Sequence, residues 1–196
     1  MPWDTAGMGQ APHDLDPRRR RTRESLQSAF TLLAQQRRYH EIRIDDILKA
    51  SGVSRSTFYE HFAGKDALLA ASMDGALSLL ADLPAGKASV PQVAALLAHF
   101  WDNRALARSL LQGAALRVIR SALMRQVEDR LKLAGSARLR LPRRLAAHAL
   151  ADGMFSPIVA WLSGEAASSP ADLAAALATS SQAMLGGMRT VLHLRQ

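Results

Sequence analysis

IDDILKASGVSRSTFYEHFAGK, residues Ile44 to Lys65, divides into a short helix, a tight turn and a second short helix. Ile44, Ile47 and Leu48 recur at i, i+3 and i+4, which lines them up on one helical face. Asp45 and Asp46 fall in the first turn of that helix, where its dipole favours negative charge. Ser51-Gly52-Val53 interrupts it, and Gly52 can take the positive φ that a three-residue turn demands. Ser54 is placed to cap a second helix running from Arg55 to Phe62. Phe58 and Phe62, four apart, point inward with Val53, while Arg55, Ser56 and Tyr59 point out. Such an outward face suits the major groove: Arg bonds guanine edges in bidentate fashion, and hydroxyls bond bases or phosphates. A surface helical hairpin with ordinary polar decoration has the same spacing, so periodicity alone leaves both readings open.

The longer string GVSRSTFYEHFAGKDALL, Gly52 to Leu69, resembles the helix-turn-helix signature of the TetR family of transcriptional regulators. Gly52, Val53, Ser54, Thr57, Tyr59, His61, Phe62, Lys65 and Leu68 fall in register with that pattern, as do Tyr39 and Asp46-Ile47 upstream. The resemblance covers Arg18 to Ala71. Arg43 departs from it by standing where a Thr usually caps the first helix, Ser51 replaces an Ala, and Ser56 replaces a frequent Gly. The family implies an all-α chain in which Ser54, Arg55, Ser56, Thr57, Tyr59, His61 and Lys65 meet double-stranded DNA; Arg43, which departs from the pattern, is expected to reach a phosphate instead of capping. Arg55 and Ser56 are expected at base edges; Tyr59, His61 and Lys65 are expected on phosphates.

The rest of the chain agrees with a helical protein. Among its 196 residues 48% are hydrophobic, Ala and Leu dominate, and no β-branched run alternates as a strand would. Cysteine is absent, which excludes disulfides and thiolate metal sites. No early segment has the apolar stretch of a signal peptide and no run of eighteen apolar residues suggests a membrane span, so a cytoplasmic location is expected. The net charge of +8 suits a polyanion without naming one. Residues 17–65 hold eleven Lys or Arg against five acids and residues 71–196 hold fourteen against eight, so charge alone does not locate a DNA-binding half.

Three segments are expected: a disordered tail over 1–17, a DNA-binding domain over 18–66 and a helical regulatory and dimerisation domain over 67–196. The run Arg18-Arg19-Arg20-Arg21-Thr22-Arg23 is read as an arm on the DNA backbone or in the minor groove, with a plain solvated end as the alternative. A first helix to about Arg37 carries the stripe Leu26, Ala29, Phe30, Leu33 and Ala34, and a fourth runs from Gly64 to Leu83. Further helices are expected at about Val90–Asp102, Ala105–Gly113, Leu116–Leu133, Leu141–Leu162 and Asp172–Leu194. Leu145 to Leu162 is apolar nearly all round, which suggests burial against a second copy. The family implies a homodimer through the last two helices, and Leu177 and Met184 are taken as lying on the pairing face. Pro157 lies inside the first of these helices and is expected to kink it.

His99, Trp101, Arg104, Met154, Phe155 and Trp161 are candidate pocket residues for a mostly apolar small-molecule effector; core packing is the alternative for each aromatic, Trp161 above all. The cluster from Arg138 to Arg144 reads as a solvated loop, with an anionic ligand or DNA as alternatives. No histidine pair has the i, i+4 spacing of a helical zinc site, and no nucleophile elbow or phosphate-binding glycine loop occurs; no metal, no cofactor and no enzyme activity are expected. The function expected is a repressor that binds a palindromic operator as a homodimer and is released by a small molecule. An effector-insensitive DNA-binding protein, acting architecturally or through a protein partner, is the alternative.

Overall fold

Asp16 and Pro17, expected to end a disordered tail, instead open the first helix. The computed structural model of the chain describes residues 16–133 and 139–189. Helix α1 spans Pro17–Gln36: the Asp16 carboxylate accepts from the Arg18 N–H at 3.0 Å, and Pro17, whose missing N–H costs nothing at this position, starts the turn. The Arg18–Arg23 run is therefore helical from its first residue and is not an extended arm.

The chain divides into two compact units. The first comprises Met1–Gly75 and Ser109–Ile119. Besides α1 it contains a single turn of 3₁₀ helix at Tyr39–Glu41, then α2 (Ile44–Ser51), α3 (Arg55–His61) and α4 (Lys65–Ser72). Helix α1 packs on α2 and α4. Its expected stripe, Leu26 to Ala34, is buried together with Tyr39, Ile42, Ile47, Phe58, Phe62, Leu68 and Leu69. Phe58 is 0% exposed, and at this site truncation to Ala costs about 3–5 kcal/mol.

The fourth helix expected as one is two. It stops at Ser72, Met73 takes φ −99° and ψ 0°, and its N–H is shared between the carbonyls of Leu69 and Ala70. Gly75, two residues on, is a poor helix former that does nothing to hold the turn together.

The second unit comprises Ala76–Arg108 and Arg120–Gln196. It takes most of α5 (Asp74–Asp82), then α6 (Val90–Asp102), most of α7 (Arg104–Leu110), the later part of α8 (Gly113–Leu133), α9 (Arg143–Ser163) and α10 (Pro170–Met188). Helix α10 packs on α6 and α9. Arg130 of α8 holds α5 through Asp82 at 3.1 Å and Ser78 at 2.6 Å. Among the described residues there is no strand; Leu139 and Arg189 form an isolated bridge pair. Residues 190–194 of the expected last helix and Arg138 of the basic cluster lie outside the described residues.

Helix α9 runs from Arg143 to Ser163 through Pro157, which lies on its exposed side. One expectation about α10 is corrected. Leu177 is 2% exposed and so belongs to the unit's own core, not to an open face. Met184 is likewise turned inward, close enough that a Cβ on Gly153 would lie 2.9 Å from its Cε. A larger side chain at Gly153 would make the flexible end of Met184 shift. The exposed side of α10 instead carries Ala176, Ser180, Ala183 and Gly187. Helix α9 is long and apolar enough to pass as a membrane span, and half of its most apolar eighteen-residue window is buried in the protein.

Candidate DNA-binding interface

Helix α3 is positioned by its two ends and its underside. Gly52 takes φ 70°, a left-handed conformation that residues with a Cβ resist, and turns the chain out of α2. The Ser54 hydroxyl then accepts from the Thr57 N–H at 3.2 Å, capping α3, and donates to Thr57 Oγ1 at 2.9 Å. Phe58 and Phe62 anchor the helix, with ring centroids 6.0 Å apart. Tyr59 stands edge-on to Phe58 at 5.3 Å and is 48% exposed, so its ring direction is fixed while its hydroxyl faces outward.

The outward surface of α3 therefore presents Arg55, Ser56 and Tyr59, the three residues the sequence places there. Ser56 Oγ lies 3.0 Å from Ser54 Oγ, which groups the three hydroxyls of Ser54, Ser56 and Thr57 at the helix start. Ser54 and Thr57 have structural duties in the cap; Ser56 is exposed.

Arg43 occupies the N-cap of α2 and has no acceptor with which to cap it. The Asp46 carboxylate compensates by accepting from the Arg43 backbone N–H at 2.9 Å, and it also meets Arg37 at 3.5 Å. That backbone hydrogen bond and the nearby cations hold Asp46 below the ordinary carboxylate pKa. The Arg43 side chain itself is exposed.

Lys65 is held differently from what a phosphate contact suggests. Its ammonium donates to the carbonyls of Tyr39 and Ile42, each at 2.7 Å, and sits 4.3 Å from the centre of the Tyr39 ring. Next to it, the Tyr39 hydroxyl donates to the Asp66 carboxylate. Burial and that hydrogen bond push the Tyr39 pKa well up, and burial pulls that of Lys65 down. The first two residues of α4 thus tie down the turn that precedes α2, and Lys65 is a strut of the domain.

His61 belongs to a basic group that sequence reading did not assemble. Burial, then the charges of Arg19 and Arg23, lower its pKa. The Arg23 guanidinium lies 4.7 Å over the Phe62 ring, which fixes α1 against the end of α3. Arg19 and Arg23 are four apart on one face of α1, a spacing that could have distinguished them from the rest of the arginine run.

This arrangement is a helix-turn-helix, and residues 26–72 match the model of bacterial regulatory proteins, tetR family. Residues 26–72 therefore carry a DNA-binding region of the TetR type. An uncharacterized HTH-type transcriptional regulator from Bacillus subtilis, YxbF, is 44% identical over 64 residues, which is 32% of this chain and 17% of that protein. The chain thus spans less than a fifth of the length of this curated relative. A TetR transcriptional regulator from Streptococcus agalactiae 2603V superposes with a TM-score of 0.50 at 23% identity, over 84% of this chain and 95% of its own. One from Rhodococcus sp. RHA1 does so with a TM-score of 0.50 at 16% identity, over 92% of this chain and all of its own. At these identities the likeness is one of fold: an N-terminal helix-turn-helix domain followed by a helical domain.

The residues expected in an effector pocket lie in the second unit, and some of them meet. Trp101 stacks on Trp161 with centroids 4.8 Å apart and planes at 28°, and the Arg104 guanidinium lies 5.6 Å from the Trp101 ring. Trp161 is buried and donates through Nε1 to the Ser168 carbonyl at 3.0 Å, while Trp101 is 37% exposed. Arg108 donates to the Leu162 carbonyl at the end of α9. His99 is exposed and lies beside Asn103, whose amide donates to the His99 carbonyl at 3.0 Å. Met154 and Phe155 are buried in the core. Within the described residues, no group of three His, Asp or Glu is arranged to hold a metal ion.

Proposed function

We propose that this chain is a cytoplasmic repressor of the TetR type that binds a palindromic operator as a homodimer and responds to a small molecule. The observation that carries the reading is α3: a helix anchored by buried Phe58 and Phe62 that presents Arg55, Ser56 and Tyr59 outward. Arg55 reads a guanine, Ser56 contacts a neighbouring base, and Tyr59, His61 and Arg43 hold phosphates. Arg19 and Arg23 add charge to that set. Ser54 and Thr57 set the helix start, and Lys65 acts through the fold.

Dimerisation through α9 and α10 is supported by Gly186 and Gly187. Glycine inside a helix costs about 1 kcal/mol relative to Ala, yet a Cβ at either position would meet nothing within 4 Å among the described residues. Their smallness suits the close approach of a second copy. An effector seated on the Trp101–Trp161 stack would be planar and mostly apolar, neutral or weakly anionic beside Arg104.

Selection from a randomised DNA duplex library tests the core of this reading. The wild-type protein should enrich an inverted repeat, and Arg55→Ala should lose preference at one base pair per half-site, at about 1–3 kcal/mol. Enrichment of nothing would defeat the regulator reading in favour of an architectural DNA-binding protein.

A further inference from the structure

Helix α2 places two carboxylates in its first turn, and they are used differently. Asp46 is taken up by the Arg43 backbone N–H and by Arg37. Asp45 points the other way, across the helix-turn-helix, and its Oδ1 accepts from the NH2 group of Arg55. Both side chains of this pair are more than half exposed, 64% for Asp45 and 55% for Arg55. Exposed pairs of this kind add little to stability. The dipole of α2 explains an acid at this position but not its pairing with the side chain at the head of α3.

A carboxylate on a surface that must approach DNA is repelled by every phosphate. Its charge is tolerated where a cation stays with it, and an arginine has two edges of donors with which to serve two partners. We propose that Asp45 is a positioning residue for base recognition: it holds one edge of the Arg55 guanidinium and so turns the other toward the O6 and N7 of guanine. This rests on the assignment of Arg55 as a base reader. On a site with guanine at the right place, the pair stays intact and both charges are satisfied. On other DNA, Arg55 can gain a phosphate only by leaving Asp45, which then faces the backbone alone. The pair therefore penalises non-specific binding more than specific binding, and Asp45 contributes to discrimination by a contact it never makes with a base.

The test compares wild type, Asp45→Asn, Arg55→Ala and the double variant, by selection from a randomised duplex of about 20 base pairs. Anisotropy titrations then follow on the selected and random duplexes. Asp45→Asn keeps the size of the side chain, and circular dichroism checks that the helices persist. The expected result is a weaker guanine preference at the Arg55 position and tighter binding to random DNA. The ratio of random to selected Kd should fall about tenfold. On random DNA the salt slope should steepen by about one, as Arg55 is freed to a phosphate. In the Arg55→Ala background, Asp45→Asn should leave base preference unchanged. If Asp45→Asn enriches the same sequence at the same Kd ratio, the Asp45 role is overturned while Arg55 stands. If it alters preference in the Arg55→Ala background, Asp45 touches a base itself and positioning is overturned. A wild-type protein that enriches no sequence overturns the base-reading assignment and this inference with it.

Discussion

Replacing Lys65 by Met separates two duties that a lysine at this position can have. The substitution keeps an apolar stem over the Tyr39 ring and removes the ammonium that bridges the carbonyls of Tyr39 and Ile42, each at 2.7 Å. A hydrogen bond to a charged group is worth about 1.5–3 kcal/mol net. Two such bonds are lost, but Lys65 is only half-buried, so water can reach part of the site and the Coulombic share is discounted. A loss of about 2 kcal/mol results. For a chain of this length each kcal/mol moves the Tm by roughly 2–4 °C, so Lys65→Met should melt about 4–8 °C lower. Differential scanning calorimetry measures this directly. Binding to random duplex DNA, followed well below the new Tm, should keep the wild-type salt slope, because no phosphate contact has been removed. The opposite pair of results, an unchanged Tm and a slope smaller by about one, would falsify the strut and return Lys65 to the DNA backbone.

Three further outcomes follow from the geometry. His61 is kept below its ordinary pKa by burial and by Arg19 and Arg23, and a phosphate beside it would raise that value; DNA binding should take up a proton and strengthen as pH falls below about 6.5, by at most about tenfold per pH unit. The same depressed value means the DNA-free domain loses stability over that window, and His61→Gln should remove both dependences; pH-independent binding by the wild type would sink the phosphate contact. Ala183→Glu puts a charge on the exposed side of α10 and should give a folded monomer in light scattering with operator binding lost, while an unchanged dimer would move the interface elsewhere. A planar apolar ligand that releases DNA should quench tryptophan emission, and Trp101→Ala should weaken both effects together; normal release from that variant would place the effector away from the Trp101–Trp161 stack.

Helices α2 and α3 are legible because their boundaries are written locally: Gly52 for the turn, Ser54 for the cap, Phe58 and Phe62 four apart for the buried side. The outward set of α3 followed from that periodicity without any long-range information. What escaped was every decision that depends on a partner distant in sequence. Lys65 reads as a surface cation until the carbonyls of Tyr39 and Ile42, more than twenty residues earlier, are brought beneath it. Leu177 and Ala183 belong to one helix rich in Ala, and nothing in its composition says which side faces α6 and α9 and which is left open. The break at Met73 is hidden because Ala, Leu and Ser on both sides all accept a helix, and the early start of α1 is hidden because the arginine charges mask the Asp16-Pro17 cap.

The places where this chain works against its own local stability are the surfaces proposed to bind. Five arginines crowd the first two turns of α1, where the dipole disfavours cations by about 0.3–1 kcal/mol each near the helix end. An arginine stands at the N-cap of α2, which it cannot cap. Two glycines sit together near the end of α10 with room for larger side chains. In an isolated domain each choice is a loss, and one substitution apiece would recover it. Each becomes a gain once a phosphate neutralises the arginines or a second copy closes on the glycines. Sequences that depart from local preference without a compensating contact in their own fold point to where the compensation comes from outside. Here the two kinds of departure fall in different units, cations in the first and glycines in the second, which supports the proposal that one unit meets DNA and the other a second copy.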